Sequence, residues 1–286
     1  MPTTRATLAL DDYTVAWIYP NAYDFGELNG HNIVITYLPY GVYGTVSAVT
    51  VVSRMRMTFP RLHYELIVGT GGGVPSQSHD IRLGDVVVSR PGEMYGVVIQ
   101  YDYGKAVQGE KFEQTGFLNQ SPQALLTHIS QLESKKMTGG AGTISSIVSA
   151  ALERNPRVKE RFSAPEQHTD LLFRSSYHRV DKKLDCKNAP YVHYGLIASG
   201  DQVMKDSEAR DRLAEQHGIL CFEMEASGLM NELPTLVIRG ICDYGDSHKQ
   251  KEWQGYAALT AAAYARILLL GLPFVSSFDW QKDKAK

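Results

Sequence analysis

Cysteine and net charge are both scarce in this chain of 286 residues. Its three cysteines, Cys186, Cys221 and Cys242, cannot all pair and show no CxxC spacing. This argues against a disulfide framework or a cysteine zinc site and favours a reducing compartment. The formal net charge is only −2, which gives no electrostatic case for nucleic acid or an anionic membrane as a partner.

Long apolar runs and linkers are lacking as well. The opening MPTTRATLAL has no long apolar core of a signal peptide, so we predict a cytoplasmic protein. The apolar stretch AALTAAAYARILLLGLP contains Arg266 and is rich in alanine, which favours a buried helix over a membrane span. No repeat, low-complexity tract or Pro/Gly/Ser-rich linker divides the chain. Residues 1–286 are therefore predicted to form one domain, with a core of about 13–271.

Strand-like runs rich in β-branched and aromatic residues alternate with helical patterns along this core. The predicted strands are 13–19, 32–38, 65–70, 85–90, 97–101, 193–199 and 235–241. The predicted helices are 45–57, 122–134, 143–153, 206–217, 224–231 and 253–271. The polar segment of about 154–190 is predicted to be a surface excursion. This alternation predicts a mainly parallel sheet flanked by helices.

The first candidate functional segment is the glycine-rich GTGGG at 69–73, which follows an apolar strand. Glycines let a ligand approach the backbone, and successive N–H groups can bind an anion or a sugar, so Gly71 and Gly72 are candidate binding residues. A tight turn without a ligand explains the same residues. A dinucleotide fingerprint does not, because it needs a glycine at Val74 and an immediate helix, and Pro75 follows instead.

Two further segments, CFEMEASG and ICDYGD, carry carboxylates. In the first, Glu223 and Glu225 flank Met224 at a strand-to-helix transition. In the second, an apolar strand ends in Asp243, and open parallel sheets bind ligands beyond the carboxyl ends of their strands. Each segment also has an ordinary explanation. Acids at a helix start favour the positive end of its dipole, and Asp243 or Asp246 fits a helix N-cap.

In this order, the three segments resemble the nucleoside phosphorylase superfamily, which includes methylthioadenosine nucleosidases and bacterial-type purine nucleoside phosphorylases. Longer stretches are similar to the nucleoside-phosphorylase-like domains of filamentous fungi, which often form N-terminal modules of NLR-like multidomain proteins. These stretches are HNIVITYLPYGVYGTVSAVTVVSRMRMTFP, VGTGGGVPSQSHDIRLGDVVVSRP, CFEMEASGLMNELP and VIRGICDYGDSHKQKEWQGYAALTAAAYA. The resemblance covers about 13–271 and implies a single-domain α/β fold, a three-layer αβα sandwich around a central mixed, mainly parallel sheet.

The resemblance implies a role for each acid. Asp243 matches the family residue that hydrogen-bonds or protonates purine N7 as the glycosidic bond breaks. A departing purine anion is a poor leaving group, and protonation stabilises its charge. Glu225 would bind the ribose hydroxyls and favour the oxocarbenium-like transition state, much as one acid of a glycosidase pair supports the sugar. Glu223 matches a flanking glutamate near the sugar or its water.

The resemblance also implies substrate-binding residues. Met224 would pack against the sugar, and Tyr43 and Gly44 match the loop near the sugar and its 5′ side. Thr70 matches a hydroxyl that contacts phosphate in phosphorylases or the nucleophilic water in hydrolases. Val203 stands where the family has an aromatic residue over the base, so weaker base stacking is expected.

Two departures from the family concern the nucleophile. Phosphorylases carry an arginine just before the glycines, whereas this chain has Ile67, which offers no bidentate donors to phosphate. Water is therefore the favoured nucleophile. Nucleosidases carry a water-activating glutamate on a helix after the first strand, but only Pro20 to Gly30 separates the first two predicted strands here. That helix is predicted to be shortened or absent, with Asp24 or Glu27 as substitutes for its glutamate.

Together these features predict a purine N-ribosyl hydrolase that releases a base, with adenine favoured, from a nucleoside or nucleotide without a cofactor. A phosphate-dependent phosphorylase and a catalytically weak nucleotide-sensing module of a signalling protein remain as alternatives. His79 and His248 show no paired metal-ligand spacing, so no metal is predicted. Because family members commonly share sites across subunit contacts, the resemblance also implies a homo-oligomer.

Overall fold

The structure, a computed structural model, describes residues 15–17, 23–39, 41–92, 95–107, 111–137, 143–172 and 189–273. Cys186, the opening MPTTRATLAL and the later half of the polar 154–190 segment lie outside these residues. Cys221 and Cys242 are both buried free thiols.

A mixed sheet of nine strands forms the centre of the molecule. The strands along the chain are β1 (Val15–Trp17), β2 (Tyr23–Leu28), β3 (His31–Thr36), β4 (Tyr64–Gly73), β5 (Val86–Ser89), β6 (Val98–Gln100), β7 (Gly104–Val107), β8 (Lys111–Gln114), β9 (Val192–Ser199), β10 (Ile219–Glu223) and β11 (Leu236–Asp243). The order across the sheet is β10-β9-β5-β11-β4-β1-β3-β2, with β6 added beside β9. Strands β7 and β8 form a separate two-stranded sheet.

Most neighbours in the central sheet run parallel: β1 with β3 and β4, β4 with β11, and β9 with β5, β6 and β10. Antiparallel pairings join β2 to β3, β5 to β11 and β10 to β4. The predicted α/β fold with a central mixed, mainly parallel sheet is therefore confirmed. Strands β5 and β11 are buried at every residue, which explains why their sequences are apolar without alternation.

The long strand β4 closes part of the sheet on itself. It pairs with β11 over most of its length and with β10 through Gly72 and Gly73. With the pairings of β10 to β9, β9 to β5 and β5 to β11, the five strands form a closed ring. The carboxyl-terminal residues of β4, β10 and β11 consequently meet at one place.

The alternative of a tight turn at GTGGG is wrong, because these residues are the last part of β4. Glycine is needed there for close packing of the protein's own groups. A Cβ on Gly71 would lie 2.5 Å from Cys221 Sγ, and one on Gly73 would lie 2.7 Å from Ile241 Cγ2. The missing side chains thus allow β10 and β11 to approach β4 on both sides.

The predicted helices are all present, as α1 (Thr45–Thr58), α2 (Gln123–Met137), α3 (Ile144–Arg154), α5 (Ser207–His217), α6 (Ala226–Leu229) and α7 (Trp253–Gly271). A further short helix, α4 (Lys159–Phe162), lies in the predicted surface excursion. Helix α5 has clear end signals: the Asp206 carboxylate accepts from the backbone N–H groups of Glu208 and Ala209, and Gly218 ends the helix at φ 73°. Helix α7 packs on β11 and β4. Across the described ranges, none of the helices has the length and apolarity that crossing a membrane requires.

Strand β2 occupies the described part of the interval between the first two predicted strands. It forms a hairpin with β3 through Asn29 and Gly30, whose φ angles are 54° and 81°. Two consecutive residues with positive φ are typical of the turns that join antiparallel strands, and Asn-Gly is their preferred sequence. The Asn29-Gly30 dipeptide is thus the sequence signal for this hairpin, which was not among the predicted elements.

Glu65 is a buried acid on β4, and its burial should make the stability of the folded protein depend on pH. Burial raises the pKa of Glu65 from 4.5 to about 7, although nearby Arg56 opposes the rise. Since the folded state binds this proton more tightly than the unfolded state, the free energy of unfolding should fall as pH rises from 4.5 to about 7. Glu65→Gln should therefore stabilise the protein by roughly 1–3 kcal/mol at pH 8 and change it little at pH 5.

Thermal unfolding of wild type and Glu65→Gln at the two pH values checks this prediction. Glu27→Gln, on the exposed side of the edge strand β2, is the matched control. Equal changes in Tm at pH 5 and pH 8 would show that Glu65 does not titrate with folding.

Candidate active site

A cavity of about 390 Å³ lies where β4, β10 and β11 end. The residues predicted for the site that line it are Tyr43, Thr70, Gly71, Gly72, Val203, Glu223, Met224, Glu225 and Asp243. These residues come from segments far apart in the chain, and the ring of strands brings them together. The cavity is thus a candidate active site in which each predicted residue can be assessed by its contacts.

Gly44, the remaining predicted residue, does not line the cavity. It has a φ of 103° immediately before α1 and lies beside Asp201. The Asp201 carboxylate accepts from the backbone N–H and the hydroxyl of Thr45, each at 2.9 Å. The backbone N–H of Asp201 in turn donates to Asp102 at 2.7 Å. These contacts tie the start of α1 to the loop that carries Gln202 and Val203 along the cavity wall.

Asp243 is the last residue of β11 and is 8% exposed. The register of β11 against β4 shifts between Ile241 and Asp243, an irregularity of the kind that re-aims a side chain. Its Oδ1 accepts from the backbone N–H of Gly245 and from Lys249 Nζ, both at 2.8 Å. A Cβ on Gly72 would lie 2.9 Å from this oxygen, so glycine at that position makes room for the carboxylate.

The buried Arg239 joins the two glutamates of the site. Its Nη2 donates to the carboxylates of Glu223 and, at 2.9 Å, of Glu225. The guanidinium group passes over Gly69, where a Cβ would overlap it. A lone arginine in the otherwise apolar TLVIRGI is the signal that could have revealed this partner, because a buried charge requires an opposite charge nearby.

The two glutamates differ in what else they contact. Glu223 has a fully buried side chain, and its carboxylate also accepts from the backbone N–H groups of Glu225 and Ala226 at the start of α6. The Glu225 side chain is 17% exposed. Burial raises the pKa of Glu225, with Arg239 opposing and Glu223 reinforcing the rise. Glu225 is therefore the carboxylate available to a ligand, while Glu223 holds the backbone and Arg239 in place.

Other residues considered as water activators or ligands lie elsewhere. Asp24 and Glu27 are on the edge strand β2, which β1 and β3 separate from β4, and neither lines the cavity. The prediction that they help to activate water is therefore wrong. Ile67 is 5% exposed within the hydrophobic core, so its side chain cannot contact an anion in the cavity. No cluster of three or more His, Cys, Asp or Glu able to hold a metal ion occurs in the described part of the chain.

The model of the phosphorylase superfamily matches residues 19–269, a range that includes every residue lining the cavity. The chain belongs to the phosphorylase superfamily. The glycine-rich strand and the two acidic segments that carried the resemblance all line this cavity.

Similar proteins include an NLR-like protein and two nucleosidases. An NLR-like protein of Hyaloscypha variabilis is 46% identical, in a match covering 93% of this chain and 30% of that protein. A 5′-methylthioadenosine/S-adenosylhomocysteine nucleosidase of Mycobacterium bovis is 30% identical over 31% of this chain and 36% of the nucleosidase. The ATP nucleosidase Cap17 of Escherichia coli is 35% identical over 25% of this chain and 15% of its own length. The chain thus spans about a third or less of each of these relatives.

Solved structures of a 5′-methylthioadenosine/S-adenosylhomocysteine nucleosidase and of an S-adenosylhomocysteine nucleosidase share the fold. The Streptococcus pneumoniae structure with a transition-state inhibitor has a TM-score of 0.58 at 17% identity, covering 91% of this chain and all of that one. The Streptococcus pyogenes structure with 5-methylthiotubericidin has a TM-score of 0.60 at 15% identity, covering 92% of this chain and 98% of that one. At these identities the likeness establishes the fold of this phosphorylase superfamily member.

Proposed function

We propose that this superfamily member is a purine N-ribosyl hydrolase that releases the base, adenine in particular, from a nucleoside or nucleotide. The observation that supports this most strongly is the presence of Asp243 and the Met224–Glu225 pair on the walls of one cavity. An acid for the leaving base and an acid for the sugar are the two groups that cleavage of an N-ribosyl bond needs.

The cleavage separates charge, and each acid acts on one side of it. As the bond between C1′ and N9 breaks, its electron pair goes to the base, where a proton at N7 delivered by Asp243 neutralises it. Positive charge develops on the ribose, where the Glu225 carboxylate stabilises it and accepts from the sugar hydroxyls. Met224 lies between the two glutamates as an apolar surface for the sugar.

Water is the nucleophile that the cavity favours. Phosphate needs paired cationic donors, but the guanidinium group of Arg239 is already shared by Glu223 and Glu225. Lys249 and Lys251 are the cations among the described lining residues, and Lys249 is paired with Asp243. Thr70 supplies a hydroxyl at the cavity that can hold a water molecule.

Adenine is favoured because the enzymes among the similar proteins are named for adenine-containing substrates, including ATP. Val203 and Phe222 offer apolar surface to a planar base in the cavity. We also expect a homo-oligomer, since Tyr43 lines the cavity yet is 63% exposed, and a second copy would cover it.

The test measures products. Wild-type protein should release adenine from adenosine or ATP in phosphate-free buffer, with free ribose or its 5′-phosphorylated form as the second product. Chromatography of the base, with inosine as a parallel substrate, checks release and base preference. Ribose 1-phosphate as the main product after addition of phosphate would instead establish phosphorolysis.

A nucleotide-sensing module is the second candidate, and one observation favours it. The match to the NLR-like protein covers 30% of that protein, so a domain of this kind occurs there within a much longer chain. Binding of ATP or adenosine with no release of base, with or without phosphate, would support sensing over hydrolysis.

A further inference from the structure

Lys249 forms an ion pair with Asp243 inside the cavity. Its Nζ lies 2.8 Å from Asp243 Oδ1, and the side chains of Lys249 and Asp243 are 30% and 12% exposed. Both residues line the cavity. The amine therefore touches the carboxylate that our proposed function assigns to the leaving base, while part of the Lys249 side chain remains exposed to solvent.

The loop that carries Lys249 is anchored on both sides of it. At the start of the loop, the fully buried Arg210 donates to the backbone oxygen of Tyr244 at 2.7 Å. Just after Lys249, the Gln250 amide donates to the backbone oxygen of Leu171 at 2.8 Å. A lysine on a mobile surface loop gains little from an ion pair, but an anchored loop reduces the entropy lost in holding this one.

The hydrogen-bond donors on the Asp243 carboxylate show which groups can pass a proton to it. Oδ1 accepts from the backbone N–H of Gly245 and from Lys249 Nζ, and Oδ2 accepts from the Cys242 thiol at 3.6 Å. The Gly245 amide does not ionise, and burial raises the pKa of Cys242 to about 12, which makes its thiol a poor proton donor. The remaining donor is Lys249, whose side chain is 30% exposed, so solvent can restore its proton.

We propose that Lys249 is the proton source for the departing base, with Asp243 as the relay between the Lys249 ammonium and purine N7. The inference rests on the proposed hydrolase function and adds to it a residue outside the three segments that carried the site prediction. Lys249 acts through Asp243, so its contribution should depend on how much the leaving base needs a proton.

One proton moves from Lys249 Nζ to the Asp243 carboxylate and from there to N7, while the N9–C1′ electron pair passes to the base. The base leaves as the neutral purine. Water forms the new bond to C1′ and releases one proton to solvent. The neutral amine of Lys249 regains a proton from solvent through its exposed surface, so no proton is gained or lost overall.

Two substitutions separate proton supply from simple ion pairing. Lys249→Arg keeps a cation beside Asp243 but cannot give up its proton at accessible pH, whereas Lys249→Met removes both. We expect both variants to lower kcat for adenosine by about 10²–10³-fold while adenine binding, measured by calorimetry, changes much less. Lys205→Met, an exposed lysine outside the cavity, should behave as wild type. Recovery of wild-type kcat in Lys249→Arg would overturn the proposal and leave Lys249 only a positioning residue.

The leaving group provides the second readout. Adenosine methylated at N7 already carries the positive charge that protonation would supply, so its cleavage needs no proton from Lys249. The fold-decrease in kcat caused by Lys249→Met should therefore be at least tenfold smaller with the methylated substrate than with adenosine. An equal loss with both substrates would overturn the proton-source role. Failure of the wild-type protein to release base from adenosine or ATP would instead reject the proposed function itself.

Discussion

Asp243→Asn is expected to lower kcat for adenosine cleavage by about 10²–10⁴-fold and to change adenine binding far less. The asparagine oxygen can still accept from the backbone N–H of Gly245, so the end of β11 should keep its shape. The amide cannot carry a proton to N7 or pair electrostatically with Lys249. The leaving base would then depart as an anion, which is the slow route.

Steady-state kinetics with adenosine, together with calorimetric binding of adenine, measures the two effects separately. Asp206→Asn is the matched control, since asparagine and aspartate cap a helix about equally well and Asp206 caps α5 away from the cavity. Turnover of Asp243→Asn near the wild-type value would remove Asp243 from the leaving-group role and, with it, the relay from Lys249.

Helices and strands were predictable where a long continuous segment of the sequence carries a clear pattern of apolar residues. Helix α7 follows from a long run rich in alanine and leucine, and β11 follows from a continuously apolar segment. Strand β10 was not predicted as a separate element because its five residues run directly into the acidic motif at Glu223. Helix α4 has only four residues, too few to produce a period.

The acidic residues of the candidate site could be predicted from the sequence, but the residues that pair with them could not. The acids stand at strand ends, a position that has meaning in any parallel sheet. Their partners depend on which strands and loops meet in space. Asp201 reaches Thr45 across a separation of 156 residues, and the contact of Arg239 with Glu223 depends on β11 and β10 both pairing with β4. The glycines of β4 were predicted to bind a ligand for the same reason. Their local sequence does not reveal the neighbouring strands to which they give room.

Glu225→Gln should remove the charge that supports the ribose and lower kcat for adenosine by roughly 10²–10³-fold. The amide keeps nearly the same shape, but it cannot stabilise an oxocarbenium-like sugar electrostatically. It is also a weaker acceptor for the sugar hydroxyls. The preference of the enzyme for adenosine over 2′-deoxyadenosine should therefore fall toward unity.

The matched variant for this prediction is Glu223→Gln, which makes the same change two residues earlier in the chain. Glu223 is fully buried against Arg239 and the start of α6, so its loss should act on folding, with a cost of about 3 kcal/mol seen as a lower Tm. Its preference for adenosine over 2′-deoxyadenosine should stay close to that of the wild type. Kinetics with both nucleosides and thermal unfolding of both variants give the comparison. An unchanged preference in Glu225→Gln would place Glu225 outside the sugar site and leave the Arg239 pairs a purely structural role.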